Sequence, residues 1–184
     1  MADEETPARV NDGTSARVRR NRTVGVAVAL FVFGMDQLTK WIVLEPLNIL
    51  AQPDRTIEVV DFFDLRFVPN YGVSMGYLPA DSDFARWLLV GLTAAIAIFV
   101  AAWMWREKRR DDTIGLALIL GGAVGNILDR VRLGHVVDFA DLHFGTVRPF
   151  LVFNVADAAI TIGVLLLIVR ALLMRDGKRS KKEV

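Results

Sequence analysis

Four long apolar runs constrain this chain more than anything else in it. The fullest, FLVFNVADAAITIGVLLLIVRALLM, covers residues 150–174. At helical rise about 20 such residues cross the hydrocarbon layer, so the run reads as a membrane-spanning helix. Two similar runs occupy residues 24–44 and 86–105. A shorter one at 113–128 reaches spanning length if it extends through the polar residues to 130. Across 184 residues the hydrophobic share is 53%, gathered in runs and not spread along amphipathic stripes. That pattern excludes an ordinary soluble domain and indicates one integral membrane domain.

The ends and connections differ in character. Residues 1–22 are polar and Arg-rich, and are expected to be a disordered tail, with a basic tail at 176–184. The first run could be a signal peptide. It is long, carries Asp36 and Lys40 and has no small-residue cleavage site, which favours an uncleaved helix. Residues 45–85 contain β-prone stretches, IEVV and FFDLRFV, broken by Pro, Asn and Gly, and predict a small sheet on the membrane surface. Residues 131–149 read as a second irregular segment. Gly121 and Gly125 are four apart and would let a neighbouring helix approach.

Fifteen of the 22 Lys and Arg residues fall before the first span, between the second and third, and at or beyond the end of the fourth. With four spans these regions share one side. The positive-inside rule then makes both termini cytoplasmic, and puts 45–85 and 131–149 outside. In that topology the polar residues of the spans share one depth. Asp36 and Lys40 lie near the outer end of span one. Asn126, Asp129 and Arg130 end span three. Asn154 and Asp157 begin span four, and Asp138 lies in the outer VVDF.

Most of these residues have a plain structural reading. Asp36 and Lys40 suit an i,i+4 ion pair, and Asp129 and Arg130 suit structural ion pairing. His135 and His143 suit interfacial placement. Asp157 is different, because it is expected about seven residues, roughly 10 Å, inside its span. Intramembrane carboxylates are costly and are functional candidates by default. The chain has no Cys and two His, with no HExxH, so thiol chemistry is excluded and metal chemistry disfavoured. No cofactor and no nucleic-acid partner is expected. If Asp138 and Asp157 approach each other they cannot both ionise cheaply, and would share a proton. One could then take a proton from water while the other polarises a carbonyl.

The segments DQLTK (36–40), NYG (70–72), GGAVGNILDRVRLGHVVDF (121–139) and FNVADAAI (153–160) together resemble the signal peptidase II family, the bacterial lipoprotein signal peptidases. The resemblance runs through most of the chain. It implies a four-helix membrane aspartic peptidase with a small extracytoplasmic β-cradle in the bacterial inner membrane. It implies cleavage of diacylglyceryl-modified prolipoproteins before the lipidated cysteine. The family's catalytic pair falls on Asp138 and Asp157, with support from Asp36, Lys40, Asn70, Asn126, Asp129, Arg130 and Asn154. Asn70 and Arg130 would hold the substrate backbone, and Asn126 and Asn154 would orient the aspartates. A monomer in contact with membrane lipid, and inhibition by globomycin-type peptides seated between the aspartates, are further implications. Where the family pattern has small residues and an aromatic after the outer Asn, this chain has Val73, Ser74 and Met75, a departure that bears on the shape of the substrate groove.

Two other classes make different predictions. A proton-relay transporter needs polar residues spread through the bilayer depth, and the inner halves of spans two to four hold almost none. A scaffold subunit predicts that Asp138→Asn and Asp157→Asn cost stability and not turnover. A serine protease would have to use Ser74, which no motif pairs with either histidine.

Overall fold

The computed structural model describes residues 12–72 and 83–180. Four helices, α1 (Asp12–Leu44), α2 (Asp83–Arg106), α3 (Arg110–Leu133) and α4 (Val155–Ser180), are each long and apolar enough to cross a membrane. A three-stranded antiparallel sheet stands at one end, in the order β1 (Thr56–Val60), β2 (Phe63–Asn70), β3 (Val136–Leu142). Two 3-10 turns, Ile49–Ala51 and Pro53–Arg55, lead from α1 into β1.

Helix α3 is the centre of the bundle and packs against the other three. Small residues make this possible. A Cβ at Gly121 would lie 2.5 Å from the carbonyl oxygen of Ala29 in α1, and one at Gly122 would lie 2.5 Å from that of Ala156 in α4. Gly125 faces the Asp36 carboxylate with no room for a methyl group. The close approach read from Gly121 and Gly125 is therefore to α1. Val100, Met104, Leu116 and Ala117 form the core of the bundle. A second core of Val43, Ile49, Val137, Phe139 and Ala140 lies under the sheet. Large apolar side chains such as Phe31, Phe99 and Leu173 point outward, as lipid-facing residues must.

Three boundaries differ from the sequence expectation. Helix α1 starts at Asp12, inside the stretch expected to be a tail. Its first turns are held to the end of α2: Asn21 donates to the Lys108 carbonyl at 2.9 Å and Arg22 donates to that of Trp105 at 2.8 Å. Arg22 also covers the Trp105 ring. A helix C-terminus presents unpaired carbonyls and a partial negative charge, which these donors meet.

Residues 136–142, expected to be irregular, form β3. All but the last are buried, so the strand lacks the polar–apolar alternation that would have marked it. Helix α4 begins at Val155 and not at 150. Phe153 is still in extended backbone, bridged to Ala140 through bonds of 2.8 and 3.1 Å. Asn154 then caps the helix, its Oδ1 accepting the Asp157 N–H at 2.9 Å. Asp157 thus stands in the first turn of α4, not seven residues inside a span.

Candidate active site

Asp138 is on β3, where it pairs with Val68 of β2 while Asn70 pairs with Val136. Asn70 and Asp138 are thus diagonal neighbours across the ladder. Asn70 Nδ2 donates to Asp138 Oδ2 at 2.9 Å, and Asn154 Nδ2 donates to Oδ1 at 2.7 Å. Both amides are locked in orientation, since each Oδ1 accepts a backbone N–H: Gly72 for Asn70 at 2.8 Å, Asp157 for Asn154. Gly72 adopts φ +74°, a region open to glycine, which lets its N–H turn back onto Asn70.

Asp157 receives its own amide. Asn126 of α3 donates from Nδ2 to Asp157 Oδ1 at 2.8 Å. Asn154 connects the pair: it bonds the carboxylate of Asp138 and the backbone of Asp157. Asp138 is 2% exposed, whereas Asp157 is half-buried. Burial pushes the Asp138 carboxyl up to about 6. The bonds from Asn70 and Asn154 and the charge of Lys40 pull the other way, and the negative charge of Asp157 adds to the rise.

Beneath the aspartates lies a buried charged cluster. Lys40 Nζ is 2.8 Å from Asp36 and 2.7 Å from Asp129, and 3.3 Å from Asn126 Oδ1. Gln37 donates to both carboxylates, at 3.2 and 3.0 Å. Two backbone groups complete it. Ala156 N–H, in the first turn of α4, donates to Asp36 at 3.0 Å, and Val137 N–H of β3 donates to Asp129 at 3.2 Å. The cluster thus ties α1 and α3 to the two elements that carry the aspartates. Two carboxylates around one ammonium are tolerable out of water because donors satisfy the remaining oxygens.

The i,i+4 pair of Asp36 and Lys40 forms as read. Asp129 is ion-paired too, but to Lys40 and not to its neighbour, because successive helical residues point in different directions. Arg130 is buried, donates to the Asn126 carbonyl at 3.4 Å and lies against Gly72, with the charges of Asp157, Asp138 and Asp129 around it. Its Nε has no partner among the described residues. His135 makes an edge contact with Phe67 and a tilted contact with Tyr71 at the cradle, and His143 Nε2 is 3.0 Å from Asp64. Gln37 went unassigned in the sequence, although it stands three residues before Lys40 and beside Asp36. Val73, Ser74 and Met75 lie outside the described residues. A cavity of about 810 Å³ opens beside Asp138, lined also by Asn70, Tyr71, Arg66, Arg148 and Leu151.

Two Asn-held aspartates, one buried and one half-buried, at one end of a four-helix membrane bundle form a narrow pattern, and residues 28–173 match the family model for signal peptidase II. The chain belongs to the signal peptidase II family. Membership makes it a protease of the aspartic type. It is 56% identical over 164 residues to a lipoprotein signal peptidase of Rhizorhabdus wittichii, covering 89% of this chain and 94% of that one. It is 55% identical over 152 residues to the lipoprotein signal peptidase of Sphingopyxis alaskensis, covering 83% and 87%. Among solved structures, a bacterial membrane enzyme at 2.3 Å resolution superposes with a TM-score of 0.71 at 29% identity, covering 85% of this chain and 92% of that one.

Proposed function

We propose that this signal peptidase II cleaves diacylglyceryl-modified prolipoproteins just before the lipidated cysteine, with Asp138 and Asp157 activating a water molecule between them. Membership of the family and relatives named lipoprotein signal peptidase support the substrate class. The observation that carries the mechanism is the separate amide given to each aspartate, Asn70 and Asn154 for Asp138, Asn126 for Asp157. Such donors hold two repelling carboxylates in fixed positions without neutralising either.

In the reaction one carboxylate takes a proton from water as the water attacks the scissile carbonyl. The other, protonated, donates to the carbonyl oxygen as it becomes an oxyanion. Burial suits Asp138 to the protonated role. Collapse of the tetrahedral intermediate passes a proton to the leaving amine of the cysteine and resets the pair. Arg130 and Asn70 hold the substrate backbone. The Lys40 cluster supports β3 and the start of α4 and touches no substrate.

The distribution of Lys and Arg favours cytoplasmic termini and an extracytoplasmic cradle in the bacterial inner membrane. A signal helix in the bilayer would bring its cleavage point to that boundary. The enzyme works as a monomer among membrane lipids, and globomycin-type peptides bind between the aspartates. The test is cleavage of a lipidated prolipoprotein in detergent, with the cut mapped by mass, by wild type, Asp138→Asn and Asp157→Asn. Chelator and thermal melts accompany each. Loss of turnover in folded variants, with chelator inert, is the expected result. A folded variant that turns over normally assigns the carboxylates to structure.

A further inference from the structure

The cavity beside Asp138 has a cationic wall that the water-activating pair does not use. Arg66 of β2 and Arg148, in the connection from β3 to α4, both line it. They converge on Asp141, whose side chain is fully buried. Arg148 donates through Nε at 2.9 Å, and Nη1 of Arg66 lies 3.7 Å away. Both guanidinium side chains remain more than two-fifths exposed. Two cations sharing one carboxylate leave a formal charge of +1 on the wall. Because Arg148 spends Nε on Asp141, its two terminal nitrogens have no hydrogen-bond partner among the described residues.

The backbone is shaped for this. From Leu65 to Val68 strand β2 takes three steps while β3 takes two, from Ala140 to Asp138, so Arg66 falls in a bulge. Bulges re-aim side chains that a regular ladder would direct elsewhere. Arg66 is four residues along β2 from Asn70, or about 13 Å at strand rise. An extended peptide lying beside the strand covers that distance with up to four residues.

We propose that Arg66 and Arg148 form a specificity subsite for an Asp or Glu side chain within the first four residues downstream of the cleaved bond. This rests on the substrate reading above. The signal part of such a substrate is apolar and belongs in the bilayer beside the helices. The downstream part is the polypeptide that must leave across the cradle. A carboxylate there meets two guanidiniums, tethered at Asp141 with donors still free, in the arrangement that favours paired N–H···O bonds.

The test uses synthetic diacylglyceryl-modified substrates with Asp, Asn or Lys at each of the first four downstream positions. Wild type, Arg66→Gln, Arg148→Gln and Arg66→Glu are compared, in neutral detergent and in vesicles with and without anionic phospholipid. The expected result is a KM lower for Asp than for Asn by roughly fivefold at one position, the scale of a partly exposed ion pair. The preference shrinks at high salt. It falls towards one in Arg66→Gln and Arg148→Gln, and turns towards Lys in Arg66→Glu. Melts show whether each variant folds, and the wild-type series decides the matter even if a variant does not. Equal KM for all charge forms in wild type overturns the subsite. So does an arginine-dependent response to anionic lipid with no response to substrate charge, which would make the wall a headgroup site. Failure of wild type to cut any of the substrates overturns the substrate reading itself.

Discussion

Asn154 does two separable jobs, and substitution can pull them apart. Its Oδ1 caps α4 through the Asp157 N–H, while its Nδ2 donates to Asp138 at 2.7 Å and lies 3.3 Å from both Asn126 Oδ1 and the Val137 carbonyl. Asn154→Ala removes both. Loss of the cap costs about 1 kcal/mol. Loss of a buried hydrogen bond to a charged group costs about 1.5–3 kcal/mol. The sum, about 2.5–4 kcal/mol, corresponds to a fall in Tm on the order of 10 °C for a domain of this size. Asn154→Ser keeps a good cap but is too short to donate to Asp138. It should recover about 1 kcal/mol of the loss, yet stay as inactive as Asn154→Ala. Detergent melts and lipopeptide turnover measured on the same preparations give both quantities. A serine variant with near wild-type turnover would refute the idea that Asn154 positions Asp138. An alanine variant that melts with wild type would refute the cap.

Other expectations follow from the same contacts. Lys40→Met strands Asp36 and Asp129 in the interior and should cost about 3–5 kcal/mol. Melts should show partial recovery when both aspartates are also changed to Asn. Gly121→Ala drives a methyl group into the backbone of Ala29 and should lower Tm. Gly91→Ala, with nothing within 4 Å of the new group, should leave it level or raised. Asp138 has its folded pKa raised from 3.8 to about 6, so the folded state binds this proton more tightly than the unfolded one. The sign is that stability falls as pH rises from about 4 to 6, by up to about 3 kcal/mol from this group. Asp138→Asn should flatten that limb in a series of melts against pH, and a limb of unchanged slope would contradict it.

The sequence carried the spans and the gathering of their polar residues at one end of the bundle, because lipid imposes length and composition on any helix that crosses it. It carried IEVV and FFDLRFV as strands, which became β1 and β2. It did not show β3, since Val136–Asp141 is buried on both faces and has no alternation to read. The start of α4 was masked by the apolar residues Phe150, Leu151 and Val152, which continue the hydrophobic run although the chain there is not helical. The capping chemistry of Asn154 outweighed that run. Asp141 is the least legible residue. Nothing in VVDFADL separates the carboxylate proposed to activate water from one buried to hold two arginines, and the distinction appears only when β2 and the 148–152 segment fold against it.

The central claim is that Asp138 and Asp157 act as one unit. It is tested most directly by turnover of Asp138→Asn, Asp157→Asn and the double variant, all shown to be folded. If the two carboxylates share the work, each single change should cost at least about a thousandfold, and the double change little more than either alone. Losses that multiply, or a folded single variant working near the wild-type rate, would contradict the shared water-activating pair.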